Sequence, residues 1–239
     1  MELVFNGQKF TISDLEKIVK EISGSDYSAE MLTVLTCALN NPQLLPKSRS
    51  KEVNNNELES YLKFWIYKYI NGFNNRASKK QGNPSKTIPD TLSSYIYKRI
   101  LSDSTEAEIQ TAVENHSLLM TIENIIGELL EEYLSNKLKS KGWCCCWGMT
   151  IKKVDFCKAD GTLLQIKTSD NSENSSSSDI RKGTTILKWA RRKSTKKEEY
   201  YWSKLQEITG VTDISESDFL EFVNTTITTN PKCIYINPE

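Results

Sequence analysis

The chain has 239 residues, enough for one large domain or for a catalytic domain with a helical subdomain. Its 31 basic and 31 acidic residues cancel, so bulk charge selects no partner. No apolar run approaches a membrane span, and Met1-Glu2-Leu3-Val4 lacks the charged-then-apolar layout of a signal peptide, which sets the expectation of a soluble cytoplasmic protein with no membrane partner.

Residues 1–12 (Leu3, Phe5, Phe10, Ile12) read as a short hairpin turning at Asn6-Gly7. Ser13-Asp14-x-Glu16 has the form of a helix cap, and Leu15, Ile18, Val19 and Ile22 follow at helical spacing until Gly24. Ser28 caps a second helix, stopped by Asn40-Asn41-Pro42, and 46–56 is a polar loop. A third helix, Leu58 to Ile70, buries Leu62, Trp65, Ile66 and Tyr69. Residues 71–90, rich in Asn, Gly, Pro and Lys, form an exposed basic loop. Its side chains suit phosphate or base-edge contacts, and a solvated linker has the same composition. Helices follow near 91–101 and 105–116.

The longest periodic segment is Ser117 to Lys141, where Ile122, Ile125, Ile126, Leu129, Leu130, Tyr133, Leu134 and Leu138 share a broad apolar face that ends at Gly142. Glu131 borders that face and can reach a site on the adjoining sheet, whereas Glu128 and Glu132 are expected to face solvent. Trp143–Thr150 reads as a buried strand. The consecutive Cys144, Cys145 and Cys146 alternate in direction along it, so they serve as small apolar residues and cannot grip one ion. With His116 the only histidine and no CxxC pair, neither a zinc site nor a histidine mechanism is expected.

Two candidate strands come next, 151–158 and 162–168, joined by the turn signal Ala159-Asp160-Gly161. As neighbours they would bring Asp155, Gln165 and Lys167 to one edge of the sheet. Two oxygen donors suit a hard cation such as Mg²⁺, and an ammonium beside them can orient water or stabilise a phosphoryl transition state. An ordinary amphipathic hairpin satisfies the same pattern.

Charge is unevenly distributed. Residues 61–100 carry eight Lys/Arg against Asp90 alone, 101–135 carry eight Asp/Glu with no Lys or Arg, and 179–197 carry eight Lys/Arg against Asp179. Such blocks leave a localised positive surface, the footprint of a nucleic-acid binder, unless the acidic and basic helices pair with each other. The polar run 168–178 includes Asp170, Asn171, Ser172, Asn174, Ser175 and Ser176, and leads to a segment 180–193 expected to be a basic helix. There Arg181, Lys182, Lys188, Arg191 and Arg192 alternate with Ile180, Leu187 and Trp189. The whole stretch is a candidate for DNA backbone and base-edge contacts. The segment 200–227 is mixed and helical, and Lys232–Ile236 reads as a last strand.

Gly127-x-x-x-Glu131, Leu134, Leu138 and Gly142-Trp143, followed by Asp155 and Gln165-x-Lys167, resemble the layout of the PD-(D/E)xK nuclease superfamily. Val154 stands where that motif has proline, and Gln165 replaces its acidic residue. More narrowly, QIKTSDNSENSSSSDIRKGTTILKW resembles the SinI-type family of type II restriction endonucleases. The resemblance implies an α/β restriction-endonuclease-like fold, with a mixed central sheet over about 143–170 flanked by helices. A catalytic core over 117–239 would follow a mostly helical region 1–116 that serves DNA binding or dimerisation. It also implies Mg²⁺-dependent cleavage of double-stranded DNA by a homodimer at a short, nearly palindromic site such as GG(A/T)CC, and a methyltransferase of the same system that protects the host. Asp155, Gln165 and Glu131 would hold the metal and Lys167 would orient the water. The rival readings are a non-specific or structure-selective nuclease of the superfamily and a non-catalytic DNA-binding protein.

Overall fold

The computed structural model describes residues 2–82, 90–100, 103–170 and 185–234. It is an α/β fold with seven α-helices among the described residues, a two-stranded sheet and a mixed four-stranded sheet. Strands β1 (Glu2–Phe5) and β2 (Gln8–Thr11) form the expected hairpin. Asn6 and Gly7 both have positive φ (46° and 85°), as a two-residue hairpin turn requires. Helix α1 (Ile12–Ser23) is capped by Thr11, two residues before the expected Ser13. Thr11 accepts from the Asp14 amide and the Asp14 carboxylate accepts from the Thr11 amide, a reciprocal capping box.

Helices α2 (Ala29–Leu39) and α3 (Leu58–Asn74) bury the expected stripes, Leu62, Trp65, Ile66 and Tyr69 among them. They share one core with the four-stranded sheet. Trp65 Nε1 donates to the Thr150 carbonyl at 3.0 Å, and the Lys152 amide to the Leu44 carbonyl at 2.8 Å. At Gly72 the backbone of α3 meets the turn after the first sheet strand so closely that an added Cβ would lie 2.3 Å from the Gly148 nitrogen. Gly148 itself has a φ of +71°.

Helix α4 (Thr91–Ile100) leads to α5 (Glu106–Leu138), 33 residues long, which is continuous across the expected boundary between 116 and 117. Leu129, Leu130, Tyr133, Leu134 and Leu138 of its apolar face are buried, but Ile122 is 43% exposed. Glu132, expected in solvent, is buried instead. Gly142, left-handed at φ 76°, turns the chain from α5 into the sheet.

The sheet runs β3 (Trp143–Cys145), β4 (Phe156–Lys158), β5 (Leu163–Ser169) and β6 (Ile186–Arg192) in spatial order. The first three are antiparallel neighbours, and β6 lies parallel to β5. Three expectations change here, the first being that the expected strand 151–158 narrows to β4, because the chain before it passes through Lys153 at positive φ. Strand β3 stops at Cys145, because the chain turns through Gly148 and Met149, both at positive φ. The expected basic helix is a strand over Ile186–Arg192, in register with β5 through Gln165↔Lys188 and Lys167↔Ala190. Pairing with β5 and burial of alternate residues Trp189 and Arg191 override the helix propensity of its lysines, arginines and alanine. Helices α6 (Trp202–Thr209) and α7 (Glu216–Thr229) follow. Pro231–Ile234 is a short 3-10 helix rather than the start of a strand.

Candidate active site

Helix α5 packs on β3 and β5. Asp155, just before β4, is locked between two neighbours: its carbonyl accepts from the Cys146 amide at 2.8 Å, and its amide donates to the Leu164 carbonyl at 2.9 Å. Its Oδ2 accepts from the Ile166 amide at 2.7 Å. Every backbone contact of Asp155 therefore comes from the sheet, which leaves little freedom to its carboxylate. Glu131 descends from α5 beside it and accepts a hydrogen bond from Cys145 Sγ at 3.4 Å.

Asp155, Glu131 and Lys167 line one cleft of about 580 Å³, together with Lys80, Glu123, Asn124, Gly127, Glu128, Met149, Ile166 and Thr168. A second hollow of about 470 Å³, toward α3, shares Glu128, Glu131, Met149 and Asp155 with it and adds Lys68, Asn75 and Arg76. The carboxylates thus sit where two hollows meet. A cavity of similar size between α1 and α3, about 570 Å³, offers less chemistry. Its Glu57 caps α3 and its Glu59 is paired with Lys63.

Burial raises the Asp155 carboxyl above the usual carboxylate range, while the Ile166 amide and the Lys167 ammonium pull it back. Burial, then the Asp155 charge, raise Glu131 further. Two carboxylates in one poorly solvated site compete for ionisation, so both hold their protons more tightly than isolated carboxyls do. A divalent cation would remove that conflict. Among the described residues no group of three or more His, Cys, Asp and Glu side chains converges. A pair of carboxylates suits a hard cation that keeps several waters, and does not suit a tetrahedral nitrogen and sulfur site.

Gln165 is 2% exposed and buried in β5, and it does not line the cleft. Of the expected DNA-contacting residues, Asn171, Ser172, Asn174, Ser175, Ser176, Arg181 and Lys182 lie outside the described residues. Asp170 ties the end of β5 to the segment after β6, accepting from the Ser194 amide at 2.8 Å and from its hydroxyl at 2.6 Å. Arg191 is buried, donates to Glu216 at 2.5 Å and packs over the rings of Tyr200 and Phe219. Lys188 and Arg192 are half-buried on β6. Three features go beyond the sequence reading: Lys80 lies in a run read only as basic, Glu128, expected in solvent, lines the cleft and pairs with Lys80, and Cys145, read as a small apolar residue, touches Glu131.

Comparison with known proteins decides the lineage. The family model for the SinI restriction endonuclease matches residues 16–229. The chain belongs to the SinI restriction endonuclease family. It is 37% identical to the type II restriction enzyme SinI of Salmonella infantis over 188 residues, which cover 76% of this chain and 79% of that enzyme. It is 35% identical to the type II restriction enzyme Eco47I of Escherichia coli over 188 residues, with the same coverage. The chain is accordingly a restriction endonuclease, a site-specific deoxyribonuclease. The family match takes in the N-terminal helices, α5 and the whole sheet, so Lys80, Glu131, Asp155 and Lys167 all lie within it. Among the described residues no helix is long and apolar enough to cross a membrane.

Proposed function

We propose that this restriction endonuclease makes Mg²⁺-dependent double-strand cuts in duplex DNA at a short, nearly palindromic sequence, GG(A/T)CC by family analogy. The observation that carries the reading is the meeting of Asp155, Glu131 and Lys167 in one cleft, each delivered by a different part of the fold. Asp155 and Glu131 would hold the metal, and Gln165, buried in β5 outside the cleft lining, would join them only as an auxiliary oxygen donor. The bound cation supplies positive charge that activates water and neutralises charge building on the phosphate. Lys167 orients the attacking water and stabilises the non-bridging oxygens as they gain charge. The water oxygen forms a bond to phosphorus and gives up a proton to solvent as the bond to a deoxyribose oxygen breaks, and the leaving oxygen takes up a proton from solvent.

A nearly palindromic target calls for a two-fold symmetric reader, and a homodimer accords with the apolar side chains left exposed on α4 (Leu92, Tyr95, Ile96, Ile100) and on α5 (Leu118, Leu119, Met120). In this reading β6 and the segment 168–184 contact DNA, the enzyme works in the cytoplasm, and a methyltransferase of the same system protects host sites. Incubating plasmid DNA with the protein and Mg²⁺ tests the function. Discrete fragments ending at GG(A/T)CC support it. A smear would indicate cutting without sequence preference, and unchanged plasmid would refute the catalytic assignment.

A further inference from the structure

The turn that follows α3 is held in place by an unusual number of polar contacts. Glu132 of α5, 4% exposed, accepts from Arg76 Nε at 3.1 Å, from the Ser78 amide at 2.7 Å and from the Ser78 hydroxyl at 2.5 Å. The side-chain amide of Asn230, at the end of α7, donates to the carbonyls of Ser78 at 3.2 Å and Lys80 at 2.9 Å. The Gly82 amide donates to the Lys232 carbonyl at 2.9 Å. A buried carboxylate is costly unless it is fully satisfied, and this one is satisfied entirely by the turn.

The result of this anchoring is the position of one ammonium. Lys80 projects into the cleft of Asp155, Glu131 and Lys167, and its only described ionic partner is Glu128. The side chain of Lys80 is not needed to hold the turn, because the backbone contacts already do so. An ion pair with Glu128, whose side chain is 41% exposed, contributes little stability. Electrostatics gives the ammonium a second use. The cleft carries Glu123, Glu128, Glu131 and Asp155 against Lys80 and Lys167, an excess of acid that repels a phosphodiester. Lys167 belongs to the sheet and Lys80 to the facing turn, so the two cations approach a phosphate from different walls.

We infer that Lys80 is a phosphate-binding residue of this cleft, exchanging its resting partner Glu128 for a non-bridging oxygen of the DNA backbone beside Asp155. The inference rests on the cleft being the cleavage site, and it adds a residue with a defined substrate atom. It also gives Glu128 the role of competitor, so removing Lys80 and removing the Glu128 charge act in opposite directions.

Binding of a GGACC duplex and a scrambled duplex in Ca²⁺, followed by fluorescence anisotropy over a salt series, tests this. Lys80→Ala should bind both duplexes on the order of tenfold more weakly, with a salt slope shallower by about one. Lys80→Arg should restore most of the affinity, and Glu128→Gln should bind more tightly than wild type. Lys79→Ala, which removes an exposed charge next door, should stay close to wild type. Equal behaviour of Lys80→Ala and Lys79→Ala would overturn the inference, as would a matching loss in Lys80→Ala and Glu128→Gln. Failure of the wild-type protein to bind either duplex would instead remove the functional reading beneath it, and the inference with it.

Discussion

Replacing Glu131 by Gln removes the more strongly raised of the two carboxyls in the site without touching the helix that carries it. In the metal-free fold Glu131 is pushed up to about 8 from a usual value of 4.5, and Asp155 to about 6 from 3.8. Both folded-state values exceed the unfolded ones, so the folded chain binds protons more tightly. The stability tied to this pair is therefore fully present below about pH 4 and is lost as pH rises through the folded values. Each unit of displacement corresponds to about 1.4 kcal/mol at most, and relaxation and water entry reduce it. Metal-free wild type should thus lose on the order of 2–4 kcal/mol between pH 5 and 8 through this pair. Carboxylates held low by their partners, such as Asp14, Asp160 and Asp170, titrate below that window and contribute no slope within it.

Glu131→Gln should flatten the curve by deleting the higher of the two titrations, the one raised by burial and by the Asp155 charge, and leave that of Asp155, which burial raises. The assay is urea unfolding of both proteins with EDTA at several pH values, read as the difference between them, which cancels every group they share. Added Mg²⁺ should restore wild-type stability at pH 8 by mass action and do less for the variant. Parallel curves for the two proteins would refute the claim that Glu131 and Asp155 form a proton-sharing pair.

Asp155→Ala and Lys167→Ala should each lower plasmid cleavage by about 100-fold or more while duplex binding in Ca²⁺ persists, and near wild-type cutting by either would displace the site. Gln165→Glu should tighten Mg²⁺ binding measured by calorimetry and lower metal-free stability, because it adds a buried charge; unchanged metal affinity would strike Gln165 from the ligands. Gly72→Ala should destabilise by roughly 1–3 kcal/mol or more, since its Cβ would collide with the Gly148 backbone, and a thermal midpoint equal to wild type would contradict that packing.

What the sequence made legible was local. Asn6-Gly7 names its own turn, because few residue pairs accept positive φ twice. The stripes of α2 and α3 and the β4–β5 pair follow from periodicity, and Asp155 just before β4 and Lys167 on β5 lie at readable spacing. What escaped was set by distant partners. Ile186–Arg192 has a helical composition and becomes a strand because β5 offers a parallel edge. Glu132 faces the correct side for solvent by periodicity, yet Ser78 meets it from 54 residues away. Arg191 read as one of a row of DNA-facing cations, and α7 instead supplied Glu216 to bury it.

Helix periodicity also explains how one element serves both halves of the cleft. Successive residues of α5 turn by about 100°, so Glu131 and Glu132 point in clearly different directions, and Glu128, a turn earlier, falls between them. The three acids fan out accordingly. Glu131 reaches Cys145 on the sheet, Glu128 pairs with Lys80 across the cleft, and Glu132 fastens the turn that carries Lys80. A straight helix thereby fixes the distance between the carboxylate wall and the ammonium opposite it. Inserting one residue between Glu128 and Glu131 would rotate the first acid about 100° relative to the other two. It would leave Glu131 and Glu132 in register and swing Glu128 away from Lys80, so the ion pair across the cleft depends on an uninterrupted α5.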